Sequence, residues 1–168
     1  MEEIVNKVAK SGLITIDLEE MYPSGERAAF DIKESLWQGL VLKEKDFRDY
    51  LKAFDWSTFQ DKYVAVYCSA DAIIPHWAFM LIASKLQGIS KLTFIGSSDE
   101  MERYIFREMI EALDVEAYRD QRIVIKGCSN KPVPQSAYGD LVTRLQPLAK
   151  SIMFGEPCST VPVFKKSN

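Results

Sequence analysis

The chain has 168 residues, 47% of them apolar, which is enough to build one buried core of ordinary domain size. Its 21 basic and 24 acidic residues leave a formal charge of −3 with no long basic run, so no nucleic-acid partner is expected. No apolar run reaches the roughly 20 residues that span a bilayer, and Met1-Glu2-Glu3 opens no signal-like segment; a cytoplasmic protein with no membrane contact is expected.

The first sixty residues carry three strand-like runs, Leu13-Ile14-Thr15-Ile16, Ala28 to Ile32 and Leu36 to Leu42, with little helix between them. They predict an antiparallel N-terminal extension of a sheet. Between the first two runs, the acidic residues Asp17, Glu19 and Glu20 precede Pro23-Ser24-Gly25. A hard-cation site and a solvated turn explain them equally well. Lys43-Glu44-Lys45-Asp46 then opens a helix in which Phe47, Tyr50, Leu51 and Phe54 share one face.

From residue 61 onward strands and amphipathic helices alternate, which is the pattern of an α/β fold. Tyr63 to Cys68 reads as a strand and leads through Pro75 into a helix carrying Trp77, Met80, Leu81 and Leu86, ended by Gly88. Leu92 to Ile95 is the next strand. Gly96-Ser97-Ser98-Asp99 follows it as ordinary capping, with Asp99 as N-cap of a helix that places Met101, Tyr104, Ile105 and Met109 on one face. Arg122 to Ile125 is a strand, Pro134 to about Ala149 a helix cut short by Pro147, and Ser151 to Phe154 a strand. No repeat or linker divides the pattern. A single α/β domain over residues 1–168 is predicted, with a mixed, mainly parallel sheet, flanking helices and the antiparallel N-terminal extension.

The three cysteines have a shared context. Each is followed by serine and, soon after, by proline: Cys68-Ser69 with Pro75, Cys128-Ser129 with Pro132 and Pro134, Cys158-Ser159 with Pro162. Two of them close strand-like runs and the third follows Ile152-Met153-Phe154. If these runs lie side by side in one parallel sheet, the thiols meet at its carboxyl edge, where open α/β folds place their sites. Thiolates are the preferred ligands of zinc and of iron–sulfur clusters, and a fourth ligand would come from Asp71 or from His76, the only histidine. The spacings match no compact zinc motif.

Two other roles stay open for these thiols. Free cysteines commonly pack as small buried hydrophobes, which would make the protein a structural or adaptor domain. Alternatively, Cys128 acts as the nucleophile of a thiol or sulfur-transfer enzyme, with Lys126, Lys131 and the helix start near Pro134 lowering its pKa; His76 is then the only imidazole base. Trp37, Trp56 and Trp77 fit a core or a homodimer interface.

Gly12 to Leu18, Leu42 to Arg48, Cys68 to Ile73, Lys126 to Ser129 with Pro132-Val133-Pro134, and Lys150 to Pro162 together resemble the bacterial family designated domain of unknown function 2480. The likeness runs nearly end to end. It implies an intracellular domain and, through the company its members keep, an accessory role with iron–sulfur assembly proteins as partners. Cys68, Cys128 and Cys158 are the positions that match the family's cysteine segments.

Overall fold

The computed structural model of the chain describes residues 12–127, 130–156 and 158–167. In chain order its elements are β1 (Leu13–Asp17), β2 (Arg27–Asp31), α1 (Glu44–Ala53), β3 (Tyr63–Tyr67), α2 (His76–Leu86), β4 (Leu92–Ile95), α3 (Ser98–Glu111), β5 (Arg122–Lys126), α4 (Gln135–Leu145), β6 (Ser151–Glu156) and β7 (Ser159–Lys165). Single 3-10 turns occupy Ile32–Ser35, Trp56–Phe59 and Val115–Tyr118. The protein is α/β, as its alternation predicts, but its strands form two sheets rather than one.

Residues 24–101 form one compact unit. Its sheet has the order β2-β3-β4, parallel throughout, with Arg27 opposite Tyr63 and Tyr63 opposite Leu92. The β-branched run of β3 fits a doubly flanked central strand, and Val64 and Val66 are fully buried. They pack with Ala78, Ile82 and Leu86, the inward stripe of α2, and with Phe47 and Leu51 of α1. Each such side chain stabilises the unit by about 1.5–3 kcal/mol through burial.

The second unit comprises the described parts of residues 1–23 and 102–168. Its sheet has the order β1-β5-β6-β7; the first three strands are parallel, and β7 returns antiparallel on β6. Ile16, Ile123, Ile125 and Ile152 pack on Phe106 and Ile110 of α3 and on Ala137, Leu141 and Leu145 of α4.

The structure departs from the sequence expectation in strand direction and in repetition. No antiparallel N-terminal extension occurs among the described residues: β1 pairs parallel with β5 and β2 parallel with β3, while Leu36 to Leu42 forms a turn closed by a lone Trp37–Val41 bridge. The antiparallel strand lies instead at the other end, in β7. An alternating apolar pattern identifies a strand but not the direction of its neighbour, and a scarcity of helix between strand-like runs does not make them partners in one sheet.

The chain contains an internal repeat where none is expected from its sequence. The two units carry the same order of elements at one constant spacing of 59 residues (122 less 63). Phe47 and Leu51 of α1 answer to Phe106 and Ile110 of α3, and Ala78, Ile82 and Leu86 of α2 answer to Ala137, Leu141 and Leu145 of α4. Asp55 and Asp114 cap equivalent 3-10 turns through the same carboxylate-to-amide bond, 3.1 Å in each. Pro75 and Pro134 begin equivalent helices, and Ala78 and Ala137 each donate to the proline carbonyl at 3.0 Å. The first strands, β2 and β1, break the spacing, because the whole of the first unit lies in sequence between β1 and α3. Identities at this spacing, among them Phe47 with Phe106 and Leu86 with Leu145, are interspersed with exchanges that keep only apolar character, such as Leu51 with Ile110, and the displacement of the first strands hides the rest.

A candidate site at the carboxyl edge of the three-stranded sheet

The chain leaves β3 through the loop Cys68 to Pro75, and Pro75 sets the first turn of α2 with φ −68° and ψ 146°. Asp31, at the end of the neighbouring strand β2, anchors this loop. One carboxylate oxygen accepts the Ser69 backbone N–H at 3.0 Å and the Lys33 N–H at 3.0 Å; the other accepts the Ser69 hydroxyl at 2.5 Å. Partial desolvation pushes the Asp31 carboxyl upward, but the bonds from Ser69 and Lys33, with the charge of Lys33, outweigh it and hold the group below its ordinary range.

Between this loop, the end of β4 and the start of α3 lies a cleft of about 420 Å³. Its walls are apolar, built by Val66, Ala72, Ile74, Phe79 and Ile95, with Cys68 among them. Cys68 is half-buried, and its thiol donates to the Ala70 carbonyl at 3.6 Å. Ser97 and Glu100 close one side as a reciprocal cap: the Ser97 N–H donates to the Glu100 carboxylate at 2.8 Å and the Glu100 N–H to the Ser97 hydroxyl at 3.2 Å. The cap is therefore Ser97, two residues before the expected Asp99.

The second unit differs at the equivalent positions. Tyr138 and Phe154 stand where the first unit has Phe79 and Ile95, and their rings meet edge to face, 5.8 Å apart. A Cβ on Gly127 would come within 2.9 Å of the Phe154 ring and of the Tyr138 hydroxyl. The loop there is held by Glu19, only 7% exposed, whose carboxylate accepts the Asn130 N–H at 3.0 Å while its backbone carbonyl accepts from Lys131 Nζ at 3.0 Å. Glu19 is thus a loop anchor rather than a solvated turn residue. Lys126 lies 3.8 Å from Asp17 and 3.6 Å from Glu156, a bridge between adjacent strand ends.

Two of the sequence-predicted thiols belong to different sheets. Cys68 follows β3 in one sheet, whereas Cys158 is exposed in the turn between β6 and β7 of the other. Cys128 lies outside the described residues, and with it the reading of that thiol as a nucleophile. Asp71 is exposed on the Cys68 loop and His76 is exposed at the first residue of α2. Among the described residues no group of three or more His, Cys, Asp or Glu side chains is close enough to hold a metal ion. No helix among them is long and apolar enough to cross a membrane.

Fold and site together define an internally repeated α/β protein with an open cleft at the carboxyl edge of its three-stranded sheet. The chain belongs to the family described as protein of unknown function (DUF2480), whose model matches residues 2–166. No curated protein and no solved structure matches it.

Proposed function

We propose that the protein is a non-catalytic binding protein that holds a ligand with an apolar portion against Cys68 in the carboxyl-edge cleft. The supporting observation is the cleft itself, an apolar hollow walled in part by Cys68, at whose Phe79 and Ile95 positions the second unit carries the Tyr138–Phe154 ring pair. Parallel α/β sheets bind ligands at this edge because loop amides and helix starts converge there. The test uses the Cys128→Ser, Cys158→Ser background and two methanethiosulfonate probes, one benzyl and one anionic. The benzyl reagent should modify Cys68 faster, and Phe79→Tyr with Ile95→Phe, which copies the Tyr138–Phe154 ring pair into the cleft wall, should abolish the preference. Equal rates for both reagents would sink this reading.

A second reading is metal or iron–sulfur binding by the thiolates of Cys68, Cys128 and Cys158, in the service of iron–sulfur assembly proteins. It is favoured by the recurrence of Cys-Ser followed by proline before the equivalent helices α2 and α4. Zinc or a cluster would supply Lewis-acid or electron-transfer chemistry; the described residues add no complete ligand set. Iron and zinc analysis of protein purified without oxygen decides it. Stoichiometric metal lost in the triple Cys→Ser variant supports the idea, and metal-free wild-type protein ends it.

A further inference from the structure

The second unit carries a strand that the first lacks, and that strand builds a basic groove. At the amino edge of the four-stranded sheet, Arg122 of β5 lies opposite Ser151 of β6, and Ser151 opposite Lys165 of β7. Lys150 and Lys166 flank this row, linked by the Lys166 N–H to the Lys150 carbonyl at 2.9 Å. Two residues along β6, Met153 sits opposite Pro162, and both line the groove with Phe164; its volume is about 870 Å³. The groove therefore has an apolar floor and a cationic rim.

Among the described residues the only acid in the lining is Asp120, and it lies 3.4 Å from Lys166. Arg122, Lys150 and Lys165 are exposed and have no ion-pair partner among the described residues. The repeat supplies an internal comparison. In the first unit Tyr63 replaces Arg122, Leu92 replaces Ser151, and the lysine equivalent to Lys150, Lys91, is engaged with the Ser24 carbonyl and the Tyr63 ring. The fold thus forms without this cluster of unpaired cations. Like charges brought together on a chain whose net charge is −3 repel one another, a cost that complementary charge on a partner removes.

We propose that the groove is a docking site for an acidic segment of a partner protein, one in which Asp or Glu residues alternate with large apolar side chains. Carboxylates meet Arg122, Lys150 and Lys165 at the rim, and the apolar residues lie on Met153 and Phe164. The charge complementarity chooses the acid, and the apolar floor chooses a polypeptide over a bare anion. The surface lies in a different unit from the Cys68 cleft, so the proposal stands apart from the ligand reading.

Fluorescence anisotropy of the whole protein with a short labelled peptide of alternating Glu and Leu tests it. Binding should weaken as salt rises, and Arg122→Glu with Lys165→Glu should weaken it about tenfold or more. Lys45→Glu on the exposed face of α1 should leave it unchanged. If the double variant misfolds by circular dichroism, peptide-induced NMR shifts in the wild type replace it, expected at Met153 and Phe164. A Lys-Leu peptide binding equally well, shifts confined elsewhere, or equal displacement by inorganic phosphate or duplex DNA would overturn the proposal.

Discussion

Asp61 and Asp120 occupy the same left-handed corner of the backbone, at φ 58° and 56°, and donate their N–H groups to equivalent carbonyls, Ile89 at 2.8 Å and Leu148 at 2.9 Å. Each corner turns the chain into the central strand of its own sheet, β3 or β5. The pair shows that the repeat extends to backbone conformation. Aspartate tolerates the left-handed region better than bulkier residues, although glycine alone enters it without steric cost.

Asp61→Val and Asp120→Val should therefore each destabilise the protein by about 1–2 kcal/mol, because a β-branched side chain is strained at positive φ. Asp61→Gly should stay within about 1 kcal/mol of the wild type. Urea unfolding measures both, and a valine variant as stable as the glycine variant would contradict the assigned conformation.

The Asp31 clasp predicts a pH dependence. Its folded pKa is lowered, so the stability it contributes is present above the ordinary carboxylate range and fades as pH falls through the depressed folded value. Asp31→Asn removes that contribution at neutral pH. The stability difference between wild type and variant should therefore shrink on acidification, from about pH 4 downward. A difference that stays constant from pH 7 to the acid limit, followed by denaturant titration at each pH, would exclude the clasp.

Gly155 lies in β6 at φ 124°, and a Cβ there would come within 2.5 Å of the Ser159 carbonyl oxygen. Both the conformation and the close approach oppose a side chain. Gly155→Ala should destabilise by more than about 1 kcal/mol, whereas Gly39→Ala, where a Cβ meets nothing within 4 Å, should lose only the cost of its positive φ. Thermal unfolding of the two variants ranks them.

Thiol reactivity should differ by position. Cys158 is exposed, while Cys68 is half-buried and bonded to the Ala70 carbonyl. In the Cys128→Ser protein, iodoacetamide should modify Cys158 first, as read by peptide mass spectrometry over time. Faster modification of Cys68 would contradict its placement in the cleft wall.

Much of the local structure is legible before any coordinates. The spacing of Phe47, Tyr50, Leu51 and Phe54 marks α1, the valine run marks β3, Gly88 stands just past α2 at φ 75°, and Pro147 does stand just beyond the end of α4. The cap of α3 was misplaced because Asp99 is a good capping residue by type, yet the Ser97–Glu100 pair satisfies two amides where Asp99 would satisfy one. The burial of Glu19 had no signal in its surroundings. Its partners, Asn130 and Lys131, lie more than a hundred residues away in the chain.

The amino-acid sequence by itself determined the elements, because helix and strand periodicity, proline and glycine positions and caps act over a few residues. It also marked the cysteine loops as alike. The tertiary structure adds that β3 and β5 belong to different sheets, that the positions of Phe79 and Ile95 in one half of the repeat carry a pair of meeting rings in the other, and that Arg122, Lys150 and Lys165 share a groove. Strand partners are chosen by burial and hydrogen bonding across long stretches of chain, and an alternating pattern is equally content beside any apolar neighbour.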